Sequence, residues 1–114
     1  MIDDRIATPG EAILRVNEKV KVEMRVKATK NRLQKRKEIY IDSEEDFRAP
    51  KNLGIVVNEL GAARFREIGI EDPADHFKGK AIRVTGILTK EKNRARVIVE
   101  DPKQIQIVES RLDG

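Results

Sequence analysis

The sequence predicts a mainly β domain: a five-stranded Greek-key barrel with a helical insertion between strands three and four and a short N-terminal helix. The main observation is alternation, because residues 19–30 and 82–89 place apolar and polar side chains on opposite faces, as strands do. At 114 residues the chain is the length of one domain. Its hydrophobic content of 39% is sufficient for a modest core.

A short helix is predicted at 9–16, ahead of the first strand. Thr8 can cap its N-terminus, Pro9 suits the first helical position, and Glu11 stands where a capping box needs a carboxylate. The narrow apolar stripe of this helix is expected to close one end of the sheet.

Strand one is the alternating segment 19–30, which is long for a single strand. We therefore expect it to bend across two halves of the barrel. A basic loop at 31–36 follows it, and strand two at 37–42 turns Ile39 and Ile41 inward.

The acidic run at 42–46 resembles a calcium-ligand cluster only loosely, because it lacks the glycine and the spacing of an EF-hand loop. A solvated turn is the preferred interpretation, with Phe47 anchoring the turn to the core. Strand three follows at 53–57 as a nearly continuous apolar run.

The last half of the chain is expected to contain two short helices and a hairpin. Helices are predicted at 61–68 and between Pro73 and Gly79, where the proline suits a helix start and the glycine a helix end. Strands four and five then form a hairpin around the polar loop 90–94, in which an asparagine tolerates the left-handed conformation. A final short strand is predicted at 104–109.

Three strands, a helical insertion and two further strands, in that order, are the layout of an OB-fold, a small and partly open Greek-key barrel. The core of this single domain is expected at about 16–108. The same strand spacing also permits a different small barrel or a five-stranded sandwich.

The net charge of +4 is unevenly distributed. Residues 27–37 carry six positive charges and no negative one, and residues 90–96 carry a net +3. The rest of the chain therefore sums to −5. Two basic segments on a mildly acidic body could form a positive patch that attracts a polyanion, if they meet in space.

Several classes of function are excluded or disfavoured. Without cysteine the chain has no disulfide, no thiolate metal site and no cysteine nucleophile. The absence of cysteine does not indicate whether the protein works in a reducing or an oxidising compartment. His76 is the only histidine, and no glycine-rich phosphate loop or metal-ligand spacing is present. We therefore expect no enzyme, no metal and no cofactor. The start of the chain lacks the apolar run of a secretion signal, and no segment is long enough to span a bilayer.

The last third of the chain carries a specific pattern: a Gly-Lys pair, an alternating strand that ends in glycine, a charged loop, an apolar strand and Asp-Pro-x-Gln-Ile. With this pattern the chain resembles, over about 16–108, bacterial OB-fold domains, including those attached to secreted nucleases. In those nucleases the catalytic residues belong to a separate domain, so the resemblance implies an accessory binding module. The residues that carry it are Gly79 and Lys80, 82–86, 90–94, 97–99 and 101–105.

In an OB-fold, the loops between strands one and two and between strands four and five flank one binding face. The two basic segments fall at these two loops, which predicts that they clamp a phosphate backbone and release its counterions. Outward-facing strand residues would line the floor. The predicted nucleic-acid-binding residues are Arg25, Lys27, Lys30, Arg32, Lys35, Arg36, Lys37, Tyr40, Lys90, Lys92, Arg94 and Arg96.

Only Tyr40 is predicted to offer an outward aromatic ring, since Phe47, Phe65 and Phe77 are assigned to the core. Single-strand binders usually stack bases on such rings. We therefore expect weak, sequence-tolerant binding of single-stranded nucleic acid by a monomer. The alternative is a protein-interaction or structural module without a nucleic-acid ligand, which the acidic remainder of the chain favours.

Overall fold

The computed structural model describes residues 5–108. Within them the chain forms four short helices, seven strands and one 3-10 turn at Pro102–Gln104. The helices are α1 (Pro9–Ala12), α2 (Leu33–Arg36), α3 (Glu59–Glu67) and α4 (Pro73–Phe77). The strands are β1 (Lys19–Arg25), β2 (Ala28–Arg32), β3 (Glu38–Asp42), β4 (Leu53–Asn58), β5 (Ala81–Glu91), β6 (Arg94–Val99) and β7 (Ile105–Ile107).

All seven strands belong to one sheet with the order β1-β5-β6-β4-β3-β2, and β7 pairs with β5. Every pair is antiparallel except β4 with β6, which run parallel. The two strands at the ends of this order, β1 and β2, are consecutive in the chain, so the sheet curls back toward its own start. No hydrogen-bonded ladder closes it in the part of the chain described. This is an OB-like arrangement, mainly β, with α3 and α4 inserted between β4 and β5 as expected.

The predicted first strand is interrupted, so the five predicted barrel strands become six, with β7 as the short final strand. The cause is a change of partner at two adjacent residues. The backbone N–H of Val26 donates to Lys80 of the β5 side at 2.8 Å, and that of Lys27 donates to Asp42 of β3 at 3.0 Å. The expected bend is therefore present, and it divides the segment into β1 on one half of the sheet and β2 on the other.

The basic loop expected at 31–36 is ordered by local contacts. Asn31 and Arg32 still belong to β2, and the four residues of α2 make one helical turn. The side chain of Asn31 accepts the backbone N–H of Leu33 at 3.0 Å, and Leu33 packs against the core. Lys37 then leaves the turn in the left-handed conformation, with φ of 61°.

The N-terminal helix has the predicted capping box, because Thr8 and Glu11 exchange side-chain-to-backbone hydrogen bonds. It is one turn long and ends at Ala12 rather than near residue 16. The hairpin turn is also shorter than predicted. Lys92 and Asn93 both have positive φ, the signature of a two-residue turn that matches the twist of the flanking strands.

The core lies inside the curved sheet, where the alternating apolar residues of the strands meet. Phe65 of α3 and Phe77 of α4 cover one opening of it, with ring centroids 5.8 Å apart in an edge-to-face contact. Gly61 lets α3 approach the end of β6, since a Cβ there would collide with the carbonyl oxygen of Val99. Position 109, the end of the predicted final strand, lies outside the described residues.

Candidate nucleic-acid interface

A groove of about 340 Å³ runs over the outer face of β2, β3, β4 and β6. Alternation places it there, because each of these strands turns one set of side chains into the core and the other set outward. The turn α2 borders the groove on one side and the β5–β6 hairpin borders it on the other. Its lining residues are Lys30, Arg32, Arg36, Glu38, Tyr40, Asp42, Phe47, Asn52, Gly54, Val56, Glu91, Lys92, Arg94, Ala95 and Arg96.

Seven of the twelve residues predicted from the sequence line this groove. They come from both basic segments, so the two segments approach one surface. The sequence predicts a positive patch only if the two segments meet in space. Their part in binding stays a prediction. The seven are Lys30, Arg32, Arg36, Tyr40, Lys92, Arg94 and Arg96.

The other five predicted residues do not line the groove. Arg25 belongs to β1, which pairs with β5, and its Nη1 donates to the carbonyl oxygen of Gly79 at 3.0 Å. Two lysines form ion pairs elsewhere, Lys27 with Glu44 and Lys37 with Glu59, each at 3.7 Å. The floor expected from Arg25 and Lys27 is instead built by residues of β3, β4 and β6. The remaining two residues, Lys35 and Lys90, are exposed beside the groove-bordering elements.

The assignment of Phe47 to the core is wrong, because its side chain is 50% exposed and lines the groove. The guanidinium of Arg94 lies over its ring, 4.5 Å from the centroid. A cation over an aromatic face is attracted by the ring's quadrupole. The groove therefore contains a second aromatic side chain besides Tyr40. A lone phenylalanine beside charged residues was the available signal, but it was interpreted as an anchor that holds the acidic turn to the core.

The start of the acidic run is a buried polar network and not a solvated turn. Asp42 and Ser43 are both buried, with Asn52 between them. Asn52 Nδ2 donates to Asp42 Oδ1 at 3.0 Å and to the carbonyl oxygen of Phe47 at 3.4 Å, and its Oδ1 accepts the N–H of Glu44 at 3.0 Å. Burial raises the pKa of Asp42, and the hydrogen bond from Asn52 and the charge of Arg96 oppose this shift.

Tyr40 stands at the centre of the floor, opposite Lys30 on β2 and Val56 on β4. Its hydroxyl donates to Glu38 Oε1 at 2.7 Å. Partial burial raises the pKa of Tyr40, and the hydrogen bond and charge of Glu38 add to the effect. The phenol is therefore protonated at neutral pH, and its ring is half-buried rather than fully available.

The groove is electropositive overall. Six cationic side chains and three carboxylates line it, a net charge of +3 when all are ionised. Arg96 is engaged by Glu91, with Nη1 and Oε2 3.0 Å apart, so the hairpin neutralises one of its own cations. A cleft with a net positive charge attracts anionic ligands.

Between residues 5 and 108, no group of three or more histidine or acidic side chains is placed to hold a metal ion. No helix in that range is long and apolar enough to cross a membrane.

No protein-family model matches the chain, and no curated protein sequence matches it. Solved structures do match the fold. Asparaginyl-tRNA synthetase from Pyrococcus horikoshii matches with a TM-score of 0.54 and 16% identity, over 95% of this chain and 23% of that one. Aspartyl-tRNA synthetase from Entamoeba histolytica matches with a TM-score of 0.56 and 13% identity, over 91% and 21%. The Stn1–Ten1 complex of S. pombe matches with 0.54 and 9% identity, over 83% and 61%.

This chain spans less than two thirds of the length of each of these chains. At identities this low, the structural matches establish the fold alone. They support the mainly β, OB-like architecture. Bacterial origin and association with nucleases stay predictions. The chain thus shares its fold with a part of each synthetase chain and of the matched chain of the Stn1–Ten1 complex.

Proposed function

We propose that this chain is a non-catalytic module that binds single-stranded nucleic acid in the groove over β2, β3, β4 and β6. The observation that carries the proposal is the convergence of cations from two distant basic segments on one concave face that also presents Phe47. Two of the solved structures with this fold are tRNA synthetases, so proteins named for acting on a nucleic acid use a similar domain.

The basic borders supply contacts to the phosphates. Arg32 and Arg36 approach from the β2–α2 side, and Lys92 and Arg94 approach from the hairpin. Contacts to phosphate and sugar fix the path of the strand but carry no sequence information. Over most of its length the groove is therefore expected to tolerate any sequence, with weak binding that depends on salt.

The floor and the Phe47 side supply contacts to the bases. The Arg94 guanidinium lies over the Phe47 ring, and nucleic-acid bases stack on both kinds of surface. Stacking needs unpaired bases, which favours a single strand over a duplex. A groove built wholly from one chain needs no second copy, and we propose that the module works as a monomer.

The test is fluorescence anisotropy with labelled single-stranded DNA, single-stranded RNA and duplex DNA, at low and at physiological salt. The disabling variant changes Arg32, Arg36, Lys92 and Arg94 to alanine. We expect salt-sensitive binding of single strands by the wild-type protein and its loss in this variant. Sedimentation at the same concentrations checks for the monomer.

A matched control removes four cations from outside the groove, because loss of net charge alone weakens binding to any polyanion. It should retain most of the wild-type affinity. Equal losses in both variants would mean that the groove has no special role. No binding at low salt would overturn the proposal and favour a protein ligand. The control substitutions, all at exposed lysines, are Lys19→Ala, Lys78→Ala, Lys80→Ala and Lys103→Ala.

A further inference from the structure

A polar recess lies in the floor of the groove, where one cross-strand row lacks a side chain. Asp42 on β3, Gly54 on β4 and Arg96 on β6 are direct neighbours in this row. A Cβ at Gly54 would lie 3.3 Å from Asp42 Oδ1, 3.7 Å from the carbonyl oxygen of Ala95 and 4.0 Å from Asn52 Nδ2. Polar atoms therefore surround the position that glycine leaves open.

The carboxylate at the edge of this recess is buried but incompletely bonded. Asp42 is only 8% exposed, and yet it lines the groove. Its Oδ1 accepts one hydrogen bond, from Asn52 Nδ2, and its Oδ2 accepts none from residues 5–108. Asp42 Oδ2 is not among the fully buried polar atoms that lack a partner, so this oxygen is open to the groove. A ligand that brings N–H groups to the recess would donate hydrogen bonds to it in place of solvent.

The four bases differ in what they offer to a carboxylate. Guanine carries two neighbouring donors on its Watson–Crick edge, N1–H and the N2 amino group. Adenine and cytosine each place one amino group next to a ring nitrogen that is itself an acceptor. Uracil and thymine place one N–H between two carbonyl oxygens. Unpaired bases in single strands are read on these edges. Only guanine meets both carboxylate oxygens without repulsion.

Asn52 connects the recess to the stacking surface, because its Nδ2 donates both to Asp42 and to the backbone of Phe47. We propose that Asp42 is a specificity-determining residue that accepts hydrogen bonds from a guanine base in the groove whose Watson–Crick edge faces this recess. The inference rests on the proposed single-strand binding and adds one selective position to an otherwise tolerant site.

The experiment compares labelled single-stranded probes of about nine nucleotides, a length within the range that an OB-fold covers. The background is oligo-dT, and in parallel oligo-U, with the central residue replaced by guanine, adenine, cytosine or hypoxanthine. Hypoxanthine keeps N1–H but lacks the amino group. We expect the guanine probe to bind about tenfold more tightly than the homopolymer, with hypoxanthine in between.

Asp42→Asn is expected to bring all probes to within about twofold of one another, because its amide places a donor where guanine also presents donors. Glu45→Gln is the matched control, since it removes the same charge from an exposed position outside the groove lining. It should keep the guanine preference. Gly54→Val, which fills the recess and keeps the charge of Asp42, should abolish the preference as well.

The outcomes separate this inference from the proposed function. Salt-sensitive binding with equal affinity for all probes would overturn guanine selection and leave single-strand binding intact. A guanine preference that survives in Asp42→Asn would also overturn it. Absence of binding to every probe would remove both together. Circular dichroism checks the fold of each variant, and if Asp42→Asn fails to fold, Gly54→Val and the guanine-to-hypoxanthine ratio of the wild-type protein decide.

Discussion

Replacing Phe47 with alanine probes the aromatic groove residue that the sequence analysis assigned to the core. The ring is half exposed, and the Arg94 guanidinium lies 4.5 Å from its centroid. A stacked base contributes about 1–3 kcal/mol. If the base takes the place of the Arg94 guanidinium on the ring, the exposed cation–π contact between Arg94 and Phe47, about 0.5–1 kcal/mol, is lost on binding. From the midpoints of the two ranges, the net loss in Phe47→Ala is about 1.3 kcal/mol, or roughly eightfold in Kd.

The assay is fluorescence anisotropy with an oligo-dT probe at low salt. Phe47→Tyr should retain the affinity, because it keeps the ring. The matched control is Ile87→Ala on β5, which removes a similarly exposed apolar side chain, 49% exposed, outside the groove lining. An affinity of Phe47→Ala within about twofold of wild type would refute the stacking argument, because this variant lacks the ring on which the base is proposed to stack.

Three further predictions concern salt, pH and stability. If five of the six groove cations contact phosphates, the slope of log K against log salt is about −3.5 for a single strand. Arg36→Ala should reduce the magnitude of this slope by about 0.7. An unchanged slope would exclude a contact between Arg36 and a phosphate. Burial raises the pKa of Asp42, so the stability that it contributes is complete below the ordinary carboxyl pKa and is lost as the pH rises through the raised value. Asp42→Asn should therefore gain stability relative to wild type between about pH 4 and neutrality in urea unfolding, and a parallel pH profile would contradict this. Phe65→Ala, which empties a site 1% exposed beside Phe77, should lower the unfolding free energy by about 3–5 kcal/mol, and a loss below about 1 kcal/mol would show that the α3–α4 contact is not part of the core.

Alternation of side chains predicted most of the fold because burial decides it locally. β3 places Ile39 and Ile41 inside and Tyr40 outside, as its period-2 pattern requires. The capping box at Thr8 was equally visible, since all of its atoms come from four consecutive residues. The interruption after Arg25 was not located, because it depends on which neighbours accept two adjacent N–H groups, and these are distant in the chain.

The candidate site was predicted in outline and corrected in its details. Charge alone identified both borders of the groove, because runs of cations are visible in a sequence. Arg25 was misplaced because outward alternation does not tell which half of a curled sheet a residue faces. Phe47 was expected to be buried and is half exposed, whereas Asp42 was expected to be solvated and is buried. Asn52 causes both outcomes through contacts across a ten-residue loop, which no local pattern encodes.

The amide of Asn52 also has a mechanical consequence. One nitrogen fixes the carboxylate of Asp42 and the backbone at Phe47 to a common point, so the height of the ring above the sheet and the aim of the carboxylate cannot be adjusted independently. A change at position 52 would therefore alter both at once. At this end of the groove, the relative position of the Phe47 backbone and the Asp42 carboxylate therefore depends on one side chain, that of Asn52.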